Sequence, residues 1–236
     1  EALNRRWSVG ICSHAGAWGA SRKSMGWFLD TLPEAEGVKC ADCSVWKYIT
    51  MAEPAEHQAT YEDLLRVPVR LVAEIVNGRL VTHPRPAPRH LRASSSLGGA
   101  LDGPFDKGHG GPGGWWILDE PELHLGPHVL VPDLAGWRRT RLPALPETAW
   151  FELVPDWVCE ILSPGTAAGD RVEKLPIYAE YGVNHVWLID PQLHTLEALE
   201  SDAGRWRLLT TLNGQDRVSL PPFDAIVFDL SLLWAD

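Results

Sequence analysis

Two carboxylates stand where the sequence otherwise builds apolar strands. Asp133 follows Pro132 at the end of His128-Val129-Leu130-Val131, and Glu160 interrupts the run Trp157-Val158-Cys159-Glu160-Ile161-Leu162. Burying an unpaired carboxylate costs several kcal/mol, comparable with the whole stability margin of a domain. Each acid therefore needs a metal ion, a basic side chain or a proton. On neighbouring strands the two would converge on one hard divalent cation, Mg2+ or Mn2+, which takes oxygen ligands and keeps several of its waters. Such an ion polarises a phosphate and lowers the pKa of a bound water, so the chemistry to expect is phosphodiester hydrolysis. Each acid also has a structural reading. Asp133 could be a turn residue after proline, and Glu160 half of a buried ion pair with an arginine such as Arg171.

Other side chains could join such a site. Glu120 and Glu122 precede the strand leading to Asp133 and could supply a second metal ion, or lie in a solvated loop. His90 opens a helix and could contact phosphate, or be exposed. Arg138, Arg139 and Arg141 form a dense basic cluster just past Asp133, where a phosphate backbone would run, with a solvated loop as the alternative. Cys12-x-His14 and Cys40-x-x-Cys43 match no established zinc spacing. No His-Glu-x-x-His or Gly-x-Ser-x-Gly occurs, which removes zinc proteases and serine hydrolases of those types. The glycine-rich stretch 108–114 lacks the Gly-Lys-Ser/Thr ending of a phosphate-binding loop.

The elements that must position these groups are punctuated clearly from Thr60 onward. Thr60-Tyr61-Glu62-Asp63 opens a short helix that Pro68 closes. Residues 69–76 and 79–83 form a hairpin around Asn77-Gly78, the pair that a type I′ turn favours. A proline-rich linker, 84–88, leads to a helix over about 89–101, where Leu91, Ser94, Leu97 and Leu101 keep helical spacing. Strands are expected at 115–118, 122–125 and 128–137, then a central strand at 157–162. A helix over 170–181 stops at Gly182, a buried strand follows at 186–189, and strands at 195–200 and 205–211 make a last hairpin. The pattern is α/β, a mixed sheet with helices on its faces and a β-hairpin near each end.

Residues 1–50 read differently. They carry no steady period of strand or helix, and Met51-Ala52-Glu53-Pro54 resembles a translation start. The expectation is a domain over 51–236 preceded by an extension foreign to the native protein; a genuine irregular N-terminal segment is the alternative. The chain has 236 residues and a net charge of -10, with 21 Lys and Arg against 31 Asp and Glu. That balance weighs against a non-specific nucleic-acid binder, whose affinity comes from cations. Four cysteines are too few for a disulfide framework at this length. No run of about 18 apolar residues offers a membrane span, and no secretory signal is visible, so the expected location is the cytoplasm.

The order Pro132-Asp133, Glu160-Ile161-Leu162-Ser163-Pro164, Asp170, Lys174, Tyr178, Gly182-Val183 and Trp187-Leu188-Ile189-Asp190-Pro191 resembles the Uma2 family of restriction endonucleases. That family is a branch of the PD-(D/E)xK nuclease superfamily, and the resemblance covers roughly residues 60–200. It implies a restriction-endonuclease-like fold, a Mg2+-type cofactor, and Asp133 and Glu160 as the metal-binding pair. Ala73-Glu74-Ile75-Val76-Asn77-Gly78 also resembles the family pattern, making Glu74 a third acid or a structural salt bridge. The superfamily lysine two residues after Glu160 is replaced by Leu162. Lys174 is the candidate to supply it from the following helix, unless it makes a surface pair with Asp170 four residues earlier.

The expectation is thus a Mg2+- or Mn2+-dependent endonuclease acting on DNA, with Asp133, Glu160, Lys174 and Glu74 as its catalytic set. The alternatives are a nuclease fold that only binds, or a hydrolase of another phosphate ester. By analogy with enzymes that cut both strands, the last hairpin could pair two copies as a homodimer.

Overall fold

Residues 58–234 are described by the computed structural model. The expectations for residues 1–50, including the Cys12, His14, Cys40 and Cys43 grouping, lie outside this range.

Thr60 caps α1 (Tyr61–Leu65) through a capping box with Asp63. β1 (Leu71–Val76) and β2 (Arg79–Pro84) then pair antiparallel from Val76↔Arg79 to Leu71↔Pro84. Asn77 and Gly78 between them both have positive φ, 52° and 74°, as a type I′ turn requires. α2 (Pro88–Leu101) buries Ala93, Leu97 and Leu101, and runs on into a π-helical turn at Asp102–Asp106.

The sequence treats 128–137 as one strand, and the structure divides it. β5 (His128–Leu130) and β4 (Leu123–Leu125) join β1 and β2 in a sheet ordered β2-β1-β5-β4. β6 (Leu134–Arg138) belongs to a six-stranded sheet ordered β10-β9-β8-β7-β6-β3. Pro132 explains the break, since it has no N–H to give to either ladder. The rest of the large sheet is β3 (Trp115–Asp119), β7 (Trp157–Ile161), β8 (His185–Asp190), β9 (Thr195–Asp202) and β10 (Arg205–Asn213). β7 and β8 are parallel and the other neighbours antiparallel, so the sheet is mixed. The parallel pair needs a crossover. It is made by α3 (Ala167–Gly169), a π-helical turn (Asp170–Lys174) and α4 (Leu175–Tyr181), ended by Gly182 in the left-handed conformation.

Alternation along β7 sends its side chains to two cores. Trp157, Cys159 and Ile161 pack with α2 and the C-terminal segment, whereas Val158 and Leu162 pack with Leu175, Ile177 and Tyr178. The C-terminal segment gave no sequence signal of its own. It forms β11 (Arg217–Val218), β12 (Phe228–Asp229) and a 3-10 turn at Leu230–Leu233. Phe223 within it touches Phe105, Trp115, Trp157 and Trp187, with ring centroids 4.7–5.6 Å apart.

Candidate functional site

Where the two sheets part, a pocket of about 440 Å³ opens, lined by Glu74, His90, Asp133, Glu160, Asp170 and Lys174 among others. Register explains why the two acids meet. Leu134 of β6 faces Cys159 of β7, so one step further Asp133 comes level with Glu160. Asp133 Oδ2 accepts from the Ile161 N–H at 2.6 Å, which ties the bend to the central strand. Its Oδ1 lies 3.2 Å from His90 Nε2. Burial alone would lower the His90 pKa, but Asp133 more than offsets this and holds the imidazole above its ordinary range.

Glu160 is 2% exposed, Glu74 1%, Asp170 3% and Lys174 7%. The Lys174 ammonium sits 2.9 Å from Glu74 Oε1, 3.3 Å from Glu160 Oε1 and 3.3 Å from Asp170 Oδ1. Burial acts against its charge, but the three carboxylates outweigh burial and drive the lysine well above its usual pKa. Tyr178 donates to Glu160 Oε1 at 2.6 Å. Burial pushes the Glu160 carboxyl well up; Lys174 opposes this, while Asp170, Asp133 and Glu74 add to it. Asp170 is raised by burial, again against Lys174. Glu74 Oε1 also accepts from the Val131 N–H at 2.8 Å, pinning β1 to the chain just before Asp133.

All four expected site residues therefore share one pocket. The Lys174–Asp170 pair exists, but buried and as one arm of a three-carboxylate clamp. Arg171 is not Glu160's partner; it bridges to Glu197 at 2.8 Å. Glu74 makes the expected salt bridge, to Lys174. Glu120 lines the pocket with φ of 45°, and its N–H donates to the Asp133 carbonyl. Glu122 instead binds Tyr61 and His124. The arginine cluster past Asp133 is turned to structural work. Arg139 pairs with Asp106 at 2.7 Å and covers Trp116, Arg141 pairs with Asp156 at 2.9 Å, and Arg138 covers Trp115. β6 carries all three away from the pocket lining. Sequence reasoning undervalued His90, Asp170 and Tyr178, although the spacing of 170, 174 and 178 marks one helical face.

Among the described residues, no group of three or more His, Cys, Asp or Glu side chains is spaced to hold a metal ion by itself. The donor chemistry nonetheless fits a hard cation. Each acid of the pair has one oxygen locked and one loosely held: Asp133 Oδ1 meets only His90, and Glu160 Oε2 has only a 3.5 Å contact with Lys174. Glu74, Asp133, Glu160 and Asp170 face one lysine and two histidines, His90 on Asp133 and His83 3.7 Å from Glu74 Oε2, and a divalent ion would balance carboxylate charge that Lys174 alone does not.

Comparison with known proteins bears on fold and family. None of the curated proteins matches the chain. The chain is similar to the crystal structure of a "putative nuclease" from Anabaena variabilis ATCC 29413, with a TM-score of 0.60 and 21% identity over 74% of this chain and 97% of that one. At that identity the likeness establishes the fold, which is the restriction-endonuclease-like one. The model of the Uma2 family, described as "Putative restriction endonuclease", matches residues 59–231, and with so much of the chain covered this protein belongs to the Uma2 family.

Proposed function

We propose that this protein is a divalent-metal-dependent nuclease that hydrolyses phosphodiester bonds in DNA. The observation that carries this reading is the excess of buried carboxylate over buried cation in one pocket, at the positions where the family pattern puts its acids. Asp133 and Glu160 would hold Mg2+ or Mn2+ through the two loosely held oxygens. When bound, the ion would polarise the phosphate and acidify a water.

The chain's own residues supply the rest. The Ile161 N–H and the Tyr178 hydroxyl orient the two acids by holding their other oxygens. Lys174 brings positive charge to the place that Leu162 leaves without it, and the three surrounding carboxylates fix its ammonium. His90, poised on Asp133 and kept protonated more readily than a free histidine, presents a donor to the pocket. Glu74 anchors Lys174 and steadies the bend before Asp133.

The second reading, a nuclease fold that binds without cutting, is favoured by the same clamp. A lysine engaged by three carboxylates is less available to substrate than one on a strand.

Titrating Mn2+ while following thermal unfolding tests the metal site, and supercoiled plasmid tests the chemistry. The expected result is metal-dependent stabilisation and nicking, both lost in Asp133→Ala and Glu160→Ala. Nicking that survives in both variants would refute the assignment. Metal and DNA binding without cleavage would select the second reading.

A further inference from the structure

The cations of the described surface are mostly spoken for. Arg66, Arg79, Arg139, Arg141, Arg171, Arg207 and Lys107 each pair with a carboxylate. A different set lies in the segments that border the pocket, which Val72, Arg85 and His90 line. Arg85 lines it, within Arg85-Pro86-Ala87-Pro88-Arg89-His90-Leu91-Arg92, a segment with three arginines and a histidine in eight residues. Arg70 is in the turn just before Leu71, where the pairing with Pro84 ends and Arg85 follows. The Arg85 guanidinium donates to the Val69 carbonyl at 2.7 Å, which holds it at this end of the hairpin. Arg70, Arg85 and Arg92 are exposed, and among the described residues none has a carboxylate partner.

These arginines neighbour a strongly acidic pocket in a chain with a net charge of -10. Pro84, Pro86 and Pro88 fix φ through the segment, so little freedom is lost when its side chains are engaged. The first turn of α2 follows at once, with Ala87 giving no side-chain cap to its N–H groups. Arginines without a carboxylate partner thus fall close together in the sequence around the pocket-lining Arg85.

We propose that Arg70, Arg85 and Arg92 form the track that grips the phosphate backbone of DNA and leads it to the acidic pocket. This inference rests on the nuclease reading and names the surface by which that substrate is held. An acidic protein can bind a polyanion through such a local patch, and its affinity then falls steeply with salt, because each neutralised phosphate releases counterions.

The test is fluorescence anisotropy with a short fluorescein-labelled DNA duplex, in metal-free buffer, over a salt series. It compares the full chain, an Arg70→Gln/Arg85→Gln/Arg92→Gln variant, and Arg205→Gln as a control on a distant strand. Exposed arginines without ion pairs leave the fold intact, which unchanged thermal unfolding verifies. The wild type and the control should show the same salt slope. The triple variant's slope should be shallower by about 0.9 for each phosphate it no longer neutralises, with affinity at low salt down at least about tenfold. A triple variant with the wild-type slope overturns the arginine track while leaving the nuclease reading intact, provided the wild type nicks plasmid. A wild type that binds no duplex at any salt overturns the track, and if it also fails to nick, the nuclease reading falls with it.

Discussion

Replacing Lys174 by methionine keeps the stem and its apolar surface but deletes the ammonium. Glu74, Glu160 and Asp170, all almost fully enclosed, then lose the one ammonium that they share. Removing one partner of a buried ion pair costs about 3–5 kcal/mol, chiefly because a charge is left buried and alone. Here three acids depend on one lysine, so the upper part of that range applies, against a total stability on the order of 5–15 kcal/mol. The lysine's folded pKa lies above its unfolded value of 10.5. Its stabilising contribution is therefore complete below 10.5 and is lost only as pH rises through the folded value, so neutral buffer measures all of it. The deficit should shrink in acid, where Glu160, already pushed up by burial, takes a proton in place of the lysine.

Urea unfolding followed by tryptophan fluorescence gives the free energy of each form. Lys174→Met should lose about 3–5 kcal/mol at neutral pH without metal, and Mn2+ should return a larger share of stability to it than to the wild type, since the carboxylates it frees become ligands. A variant within about 1 kcal/mol of wild type, the range of exposed ion pairs, would refute the clamp. Equal stabilisation of both forms by Mn2+ would show that Lys174 does not compete for the acids.

Tyr178→Phe removes one buried donor to Glu160 Oε1; it should cost about 1–3 kcal/mol and weaken Mn2+ binding by about tenfold or more in calorimetry, and unchanged affinity would show that the hydroxyl does not orient Glu160. His128 Nδ1 accepts from the Asn77 N–H at 3.2 Å, and burial holds its pKa below 6.5. Between the folded value and 6.5 the unfolded chain binds the proton more readily, so stability should fall as pH drops below 6.5, and the denaturation midpoint of His128→Gln should fall less. Gly126 has φ of 59°, a backbone that strains any L side chain, and a Cβ there would press on the Tyr181 hydroxyl. Gly126→Ala should lower the melting temperature with a cost of about 1–3 kcal/mol, and an unchanged melt would show that the β4–β5 turn adapts.

Local features were legible wherever one residue type answers one backbone need. Asn77-Gly78 takes the two positive φ angles that a type I′ turn demands, Thr60 and Asp63 close a capping box, and Gly182 ends α4 at φ of 84°. The misses share a different cause. The run 128–137 is mostly apolar, and such a run looks the same whether its halves lie in one sheet or two, so only Pro132 hinted at the break. The π-helical turns at Asp102–Asp106 and Asp170–Lys174 keep an amphipathic pattern close to that of an α-helix, and the spacing of apolar residues does not separate the two. The segment after β10 carries too short a strand and turn to show periodicity, yet Phe223, Phe228, Leu230 and Leu233 complete one of the two cores. Burial there is decided by what the segment covers.

The same distinction governs the site. Asp133 and Glu160 could be read from the strands that carry them, because an acid inside an apolar run needs a partner wherever it sits. Which partner it has is a tertiary matter. Glu160 and Leu162 lie on one face of β7, and Leu162 is sealed among the side chains of α4. A lysine at 162 would have to keep its ammonium near Glu160 while its stem displaced that packing. Lys174 approaches the same carboxylate from the crossover and satisfies it without disturbing β7. Its position is set by Glu74 and Glu160 on two strands and by Asp170 one turn earlier on its own element, so local spacing encodes only the last of these contacts. The order of residues along the chain could name Lys174 as the candidate for the charge missing from the strand motif, but only the fold shows the buried carboxylates that it balances.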